Sequence, residues 1–542
     1  MMRYVEEVRG FLKNKAFVLS YLLLALISFG FATANPTFSI DDTAADLYVG
    51  SGNNMLAAGR FGFWFWHFLL GRWEHAWYID IVALLLLFAS LVNFCILFKW
   101  ASGGKIANDA LTVFACMVLT YPMIIDIWEY TGANANIFAS YLMTSGALLL
   151  IRQQIHAGGR PWKLVGAAMM LTLVCAGYES VVAVYIFLVC AVLALQVVYG
   201  SEKEKTLGEV LRQALIYAGM LALGVVLRVL IHRLTLLLLG IPAATNGATE
   251  IFWTVNSPKE IILKLIGGWG FLYVFAALKY LPVTILVLCV VVFLIGGIVC
   301  CRKYGAVLLL PGAGMLLSLV IISLVQGTPS PYRTCQVFAF FCGFVAMMVV
   351  HALPKEPGRR GWVRMAAVVL LGCCFLNQAS FINYFLELNH RRSEQERFII
   401  QQIGTELDKR EDTEKPVIFV GSHSTDPHII EAASLPEDSL RWKAYRWLCL
   451  NAMELAGIDP ASQPISRKIP DTILNSMLQW AMWSFESTLS KMFNYYGFDY
   501  VPASRSLYDE AAAYAEESGM PAYPCDGYVE DVGPYEIGRA HV

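Results

Sequence analysis

The chain has 542 residues, 57% of them hydrophobic and only 15% charged, where an average soluble domain carries about 25% charged residues. Its solvent is therefore lipid for most of its length, and a net charge of −2 excludes nucleic acid as an electrostatic partner. Of the 13 cysteines, 11 lie within or beside apolar stretches, where they act as small apolar residues. No CxxC or Cys/His spacing suggests zinc.

An apolar run of about 20 residues crosses a bilayer as a helix. About eleven such runs follow along the chain: Lys15–Ala34, Trp77–Trp100, Asp109–Ile125, Ala133–Ile151, Lys163–Tyr178, Val181–Tyr199, Leu211–Ile231, Leu281–Val299, Tyr304–Val325, Thr334–Leu353 and Met365–Leu386. The first runs straight into Asp41-Asp42 with no small-residue cleavage site, so it is read as a span and not as a signal peptide. Short loops set the direction through their Lys/Arg content. Arg3, Arg9, Lys13, Lys99, Lys105, Arg160, Lys203, Arg302, Lys355 and Arg359 all fall on one side. The turns at 126–132 and 179–180 hold no Lys or Arg. The N-terminus is thus expected inside the cell and the C-terminus outside. Two outer segments, 53–70 and 251–265, are apolar but too short to span. They read equally as connectors resting in the interface and as walls of a groove for a lipid-linked ligand.

Composition changes after Leu386. Residues 387–535 are polar and mixed, as expected of a soluble α/β domain outside the membrane. It comprises a helix over Arg391–Arg410, a strand over Lys415–Gly421 and a helix over Leu507–Glu517. Its Cys449 and Cys525 could pair in an oxidising compartment or remain thiols. The last seven residues, 536–542, look like the translated adapter of a sequencing library and are set apart from the domain.

Chemistry is expected at the outer ends of the spans. Asp41 and Asp42 are adjacent, and neighbouring carboxylates raise one another's pKa, so that one can act as a base near neutral pH. The bland alternative is that they cap a short helix. Asp126, Glu129, Tyr178 and Glu179 sit in the next two outer turns. Carboxylates accept hydrogen bonds from sugar hydroxyls and aromatic faces stack on sugar rings, although acidic outer turns also simply mirror the basic inner ones. Arg228 and His232 are four apart and share a helix face near the outer end of their span. An arginine there is costly and suits a phosphate at headgroup depth. Snorkelling to the interface is the competing reading. Arg333, in Pro331-Tyr332-Arg333, is a further phosphate candidate.

These residues carry a resemblance. Ser39-Ile40-Asp41-Asp42, Gly59-Arg60, Tyr178-Glu179, Pro331-Tyr332-Arg333 and Tyr523-Pro524-Cys525-Asp526-Gly527, in that order, resemble the glucosyltransferase II-like family, bacterial transferases related to the serotype-converting O-antigen glucosyltransferases. The family commonly has Gln where this chain has Glu179. The resemblance implies a C-type glycosyltransferase architecture: an all-α polytopic core over 1–386 with interfacial helices in its outer loops and a site facing away from the cytoplasm. It also implies a polyprenyl-phosphate-linked sugar, usually glucose, as donor, an envelope glycan as acceptor, and a bacterial cytoplasmic membrane as location. Neither cofactor nor metal is expected. In that reading Asp41 or Asp42 is the base, Arg228, His232 and Arg333 bind the donor phosphate, and Arg60, Asp126, Glu129, Tyr178 and Glu179 bind sugar or acceptor. A transporter or flippase of lipid-linked saccharides, or a polysaccharide polymerase or ligase, are the alternatives. Transporters, however, keep polar residues near the midplane in repeated halves, and no repeat is visible here.

Overall fold

The computed structural model describes residues 2–35, 37, 53–70, 76–128, 131–158, 161–201, 206–242, 252–270, 281–354, 361–409, 414–421, 424–455, 459, 461, 465–468, 493–494 and 496–539. Asp41, Asp42 and Glu129 lie outside the described residues. The described helices of the membrane part are α1 (Met2–Lys13), α2 (Lys15–Ala34), α3 (Asn53–Ala57), α4 (Phe61–Leu70), α5 (Ala76–Ala101), α6 (Asn108–Thr120), α7 (Ile125–Trp128), α8 (Thr131–Ala157) and α9 (Trp162–Gly177). They continue with α10 (Val181–Tyr199), α11 (Leu207–Leu239), α12 (Pro258–Trp269), α13 (Leu281–Tyr304), α14 (Leu309–Ser318), α15 (Ile321–Gln326), α16 (Val337–Ala352) and α17 (Gly361–Leu407).

Seven of these helices, α2, α5, α8, α10, α11, α13 and α17, are long and apolar enough to cross a membrane. An eighth is the pair α6 and Pro122–Trp128, bent by 42°. The break follows from Pro122, which cannot donate to the helix ladder. This makes a multi-pass membrane protein, with fewer full-length spans than the eleven expected. The other three runs are helical but short. α9 and α16 have 16 residues each, about 24 Å against a hydrocarbon core of about 30 Å. The run Tyr304–Val325 is divided into a 3-10 turn, α14 and α15, where Gly305 and Gly327 take positive φ and end the helices.

Helices α8 and α10 form the centre, with 78% of each candidate span buried. Helices α11 and α13 are peripheral, with 17% and 11% buried. Their Leu230, Leu237, Leu288, Ile295 and Ile298 face outward, an arrangement that only hydrocarbon makes favourable. The amphipathic α1 lies against the core through Phe11, whose ring meets Phe17 edge-on at 5.2 Å. Asn14 then caps α2 by accepting from the Phe17 amide.

Basic residues gather at one end of the bundle. Lys99 pairs with Glu7 at 2.7 Å, Arg3 lies over the Trp100 ring, Lys105 donates to the Tyr199 carbonyl, and Arg364 pairs with Asp109.

At the other end α17 continues as a single helix of 47 residues, well past the apolar part. It meets a four-stranded sheet in the order β2 (Val501–Pro502), β1 (Pro416–Val420), β4 (Glu536–Arg539), β3 (Val529–Asp531). β1 is parallel to β2 and β4, and β3 is antiparallel to β4. Residues 536–539, the start of the adapter-like tail, therefore occupy an inner strand. Ile399, Ile400, Ile403 and Leu407 of α17 cover one face of the sheet against Val417 and Phe419. On the other face, Ala511 and Ala515 of an α-helix over Arg505–Glu517 meet Ile418, Val420 and Ile537. Phe398 of α17 faces outward, whereas Ile400 is buried. Cys449 is buried beside Trp442 and Tyr445, whereas Cys525 is exposed.

Candidate active site

The site is built around the turn between α3 and α4. Gly59 has φ +73°, and its amide donates to Leu56 O while that of Arg60 donates to Met55 O. This closes α3 in the manner of a glycine cap. Arg60 O then accepts from the Phe63 amide and starts α4. A Cβ on Gly59 would stand 2.9 Å from Arg228 Nη2 and 3.1 Å from His232 Nδ1, so the bare backbone lets both side chains of α11 close on the turn. His232 Nε2 lies 3.1 Å from Ala57 O, a contact that requires this nitrogen to carry the proton. Arg228 Nη2 donates to Glu179 Oε1 at 2.8 Å. Its Nε is buried with no partner among the described residues.

Gly62 explains why the turn sits beside Tyr178-Glu179. A Cβ there would come within 2.7 Å of both Gly177 N and Leu173 O, so α4 rests directly on the end of α9. Asn136 of α8 donates to Gly177 O from the other side. Arg60, Glu179, Arg228 and His232, scattered over the sequence, are thus brought to one place.

A buried polar layer lies beside it. Asp80 of α5 is 3% exposed and accepts from Asn134 Nδ2 at 2.8 Å. Asp126 is equally buried, next to Trp128, which stacks on Phe29 at 4.3 Å. Asp126 is therefore enclosed, where an open outer turn was expected. Asp80 was not picked out from the sequence because it falls inside an otherwise apolar run. The available signal was a lone carboxylate in a span, which is expensive and by default functional.

Arg333 sits in the 3-10 turn Tyr332–Thr334, which packs on the turn carrying Asp126. Gln336 fixes it by donating to Arg333 O at 3.1 Å while accepting from the Tyr141 hydroxyl at 2.9 Å. Tyr178 continues from α9, its amide donating to Val174 O, and its side chain is packed against the core. The chain that leads toward Asp41 and Asp42 is held at Thr37, whose hydroxyl accepts from Asn389 of α17 at 3.2 Å. Among the described residues no group of three His, Cys, Asp or Glu side chains could hold a metal ion.

Residues 30–350 match the family model described as Glucosyl transferase GtrII, a stretch that takes in every element of this site up to Arg333. The chain belongs to the glucosyl transferase GtrII family. It is accordingly a membrane glycosyltransferase. No curated protein and no solved structure matches it. Within this family member, the turn at Gly59-Arg60, the arginine on α11 and the Tyr178-Glu179 corner form one assembly, set at the end of the bundle opposite the basic cluster.

Proposed function

We propose that the protein transfers glucose from a polyprenyl-phosphate donor to an extracytoplasmic cell-envelope glycan, inverting the anomeric centre. The observation that carries this reading is Arg228: a guanidinium whose Nε has no partner among the described residues, beside His232 and the bare backbone of Gly59, on a helix whose next turns expose Leu230 and Leu234. A phosphate headgroup suits the former and a prenyl chain suits the latter. Asp41 or Asp42 takes the proton from the acceptor hydroxyl. The hydroxyl oxygen forms a bond to the anomeric carbon as the bond to the phosphate oxygen breaks, and the electron pair leaves with the polyprenyl phosphate. Arg228 and Arg333 stabilise that charge. Arg60, Glu129 and Tyr178 bind the sugar or acceptor, Glu179 does so while holding Arg228, and the enclosed Asp126 supports the turn that packs on Arg333.

The same reading sets the bundle in a bacterial cytoplasmic membrane with the basic end inside. The eight long spans and the three shorter helical runs then make eleven crossings of a C-type glycosyltransferase core, followed by an extracytoplasmic α/β domain. The test is product formation by purified Asp41→Asn and Asp42→Asn proteins that still bind donor. Asn keeps shape and polarity but loses basicity, so one variant should fall in turnover by about 10²–10⁴ and the other by less. Full activity in both would remove the pair from the mechanism. Movement of the lipid-linked sugar with no new glycosidic bond would indicate a transporter.

A further inference from the structure

The corner Tyr178-Glu179 is gripped at its root, on Gly177. A Cβ there would stand 2.8 Å from Ser140 Oγ and 3.1 Å from Asn136 Oδ1, so α9 ends directly against side chains of α8, while Gly62 of α4 approaches the Gly177 amide nitrogen. Gly177 O is one of the last carbonyls of α9, which have no amide of their own helix to accept from. It accepts from Asn136 Nδ2 at 3.3 Å. The corner follows at once. Tyr178 O accepts from the Val181 amide and Glu179 O from the Val182 amide, which starts α10, and Glu179 Oε1 accepts from Arg228 Nη2 at 2.8 Å. The path from Asn136 to the guanidinium is thus one hydrogen bond, a short piece of backbone and one ion pair.

Packing alone does not call for an amide at this position. Asn136 is fully buried, and its Oδ1 meets no donor among the described residues. A buried polar atom left unmet lowers stability, so an apolar side chain of the same size would suit the core at that end. What the amide adds is at its other end, where Nδ2 fixes the direction of the Gly177 carbonyl. Asn134, two positions earlier and on another face of α8, serves Asp80 of α5. Ser140 bonds back to Asn136 O at 2.9 Å, so its hydroxyl hydrogen is used within α8 and Gly177 O is left to Asn136. A side chain that gives up stability while orienting a corner is the pattern expected of a functional site.

The geometry points to Asn136 as a positioning residue: by holding Gly177 O it fixes the corner from which Glu179 aims Arg228 at the donor phosphate. The assignment rests on the reading of Arg228 given above. The test uses the full chain in lipid nanodiscs, with tritiated undecaprenyl phosphate as probe. Asn136→Leu keeps the volume and removes the hydrogen-bond donor. It should speed amide hydrogen exchange in 178–183 and weaken binding of the probe about tenfold or more, while the midpoint of thermal unfolding and the acceptor KM stay near wild type. Asn136→Gln, which keeps an amide donor, should recover part of the binding. Gly177→Ala crowds the same contact from α9 and should act in the direction of Asn136→Leu. In an Arg228→Ala background Asn136→Leu should weaken binding no further. A lower midpoint with donor and acceptor affected alike, a loss that persists in Arg228→Ala, or unchanged exchange and binding would overturn the proposal. Faster exchange in Asn136→Leu together with full binding of the probe by Arg228→Ala would leave Asn136 as the anchor of the corner and remove Arg228 from the phosphate site.

Discussion

Glu179 meets Arg228 across 49 residues of chain, and this pair shifts how both are understood. Glu179 is half exposed, so the ion pair itself adds little stability, on the order of 1 kcal/mol or less. Its effect is to aim the guanidinium. Arg228→Ala and Arg333→Ala should each weaken donor use by roughly 10- to 100-fold, since each removes a charge-assisted contact of about 1.5–3 kcal/mol. Unchanged donor KM and turnover in both would remove them from the phosphate site. Glu179→Gln separates aiming from sugar binding. If Glu179 acts only through Arg228, the double variant Glu179→Gln/Arg228→Ala should match Arg228→Ala alone, and additive losses in kcat/KM would give Glu179 its own contact with substrate.

Among the helices, glycines decide which faces meet. Gly59-Arg60 was legible in the sequence as a marker but not as a mechanism. Gly62 rests against the backbone of α9, and no local pattern says that α4 and α9 are neighbours. Gly62→Ala should lower stability by about 1–3 kcal/mol through overpacking, read as a lower midpoint of thermal unfolding in detergent. Gly219→Ala, on α11 with nothing within 4 Å of the new methyl, should leave the midpoint unchanged or slightly raised. Equal effects would mean that the close approach of α4 to α9 is not what Gly62 provides. The same locality explains the spans. Apolar content marked all eleven runs, whereas breaks at Pro122 and Gly305 depend on single residues inside them.

For the molecule as a whole, the gathering of Lys99, Arg3, Lys105 and Arg364 at one end bears on orientation. With the N-terminus inside, an impermeant thiol reagent should reach cysteines introduced at Ser39 and Ser424 in intact cells but not at Lys203 or Arg359. Labelling at Lys203 would reverse the bundle and carry every outer-face assignment with it.

The sequence by itself determined what the chain can be dissolved in, which loops are basic, and the order of short motifs that marks the family. These are local properties: transfer of a helix into lipid depends on its own 20 or so residues, and each motif is contiguous. The tertiary structure alone decided which side chains face one another. The Asp80–Asn134 contact joins residues 54 apart. The same holds for the enclosure of Asp126 and for the continuation of the last span into the helix that covers the sheet. Such pairings depend on the rotation and approach of whole helices, set by packing over many residues at once, and a periodic apolar pattern that faces lipid on one side and protein on the other does not encode them.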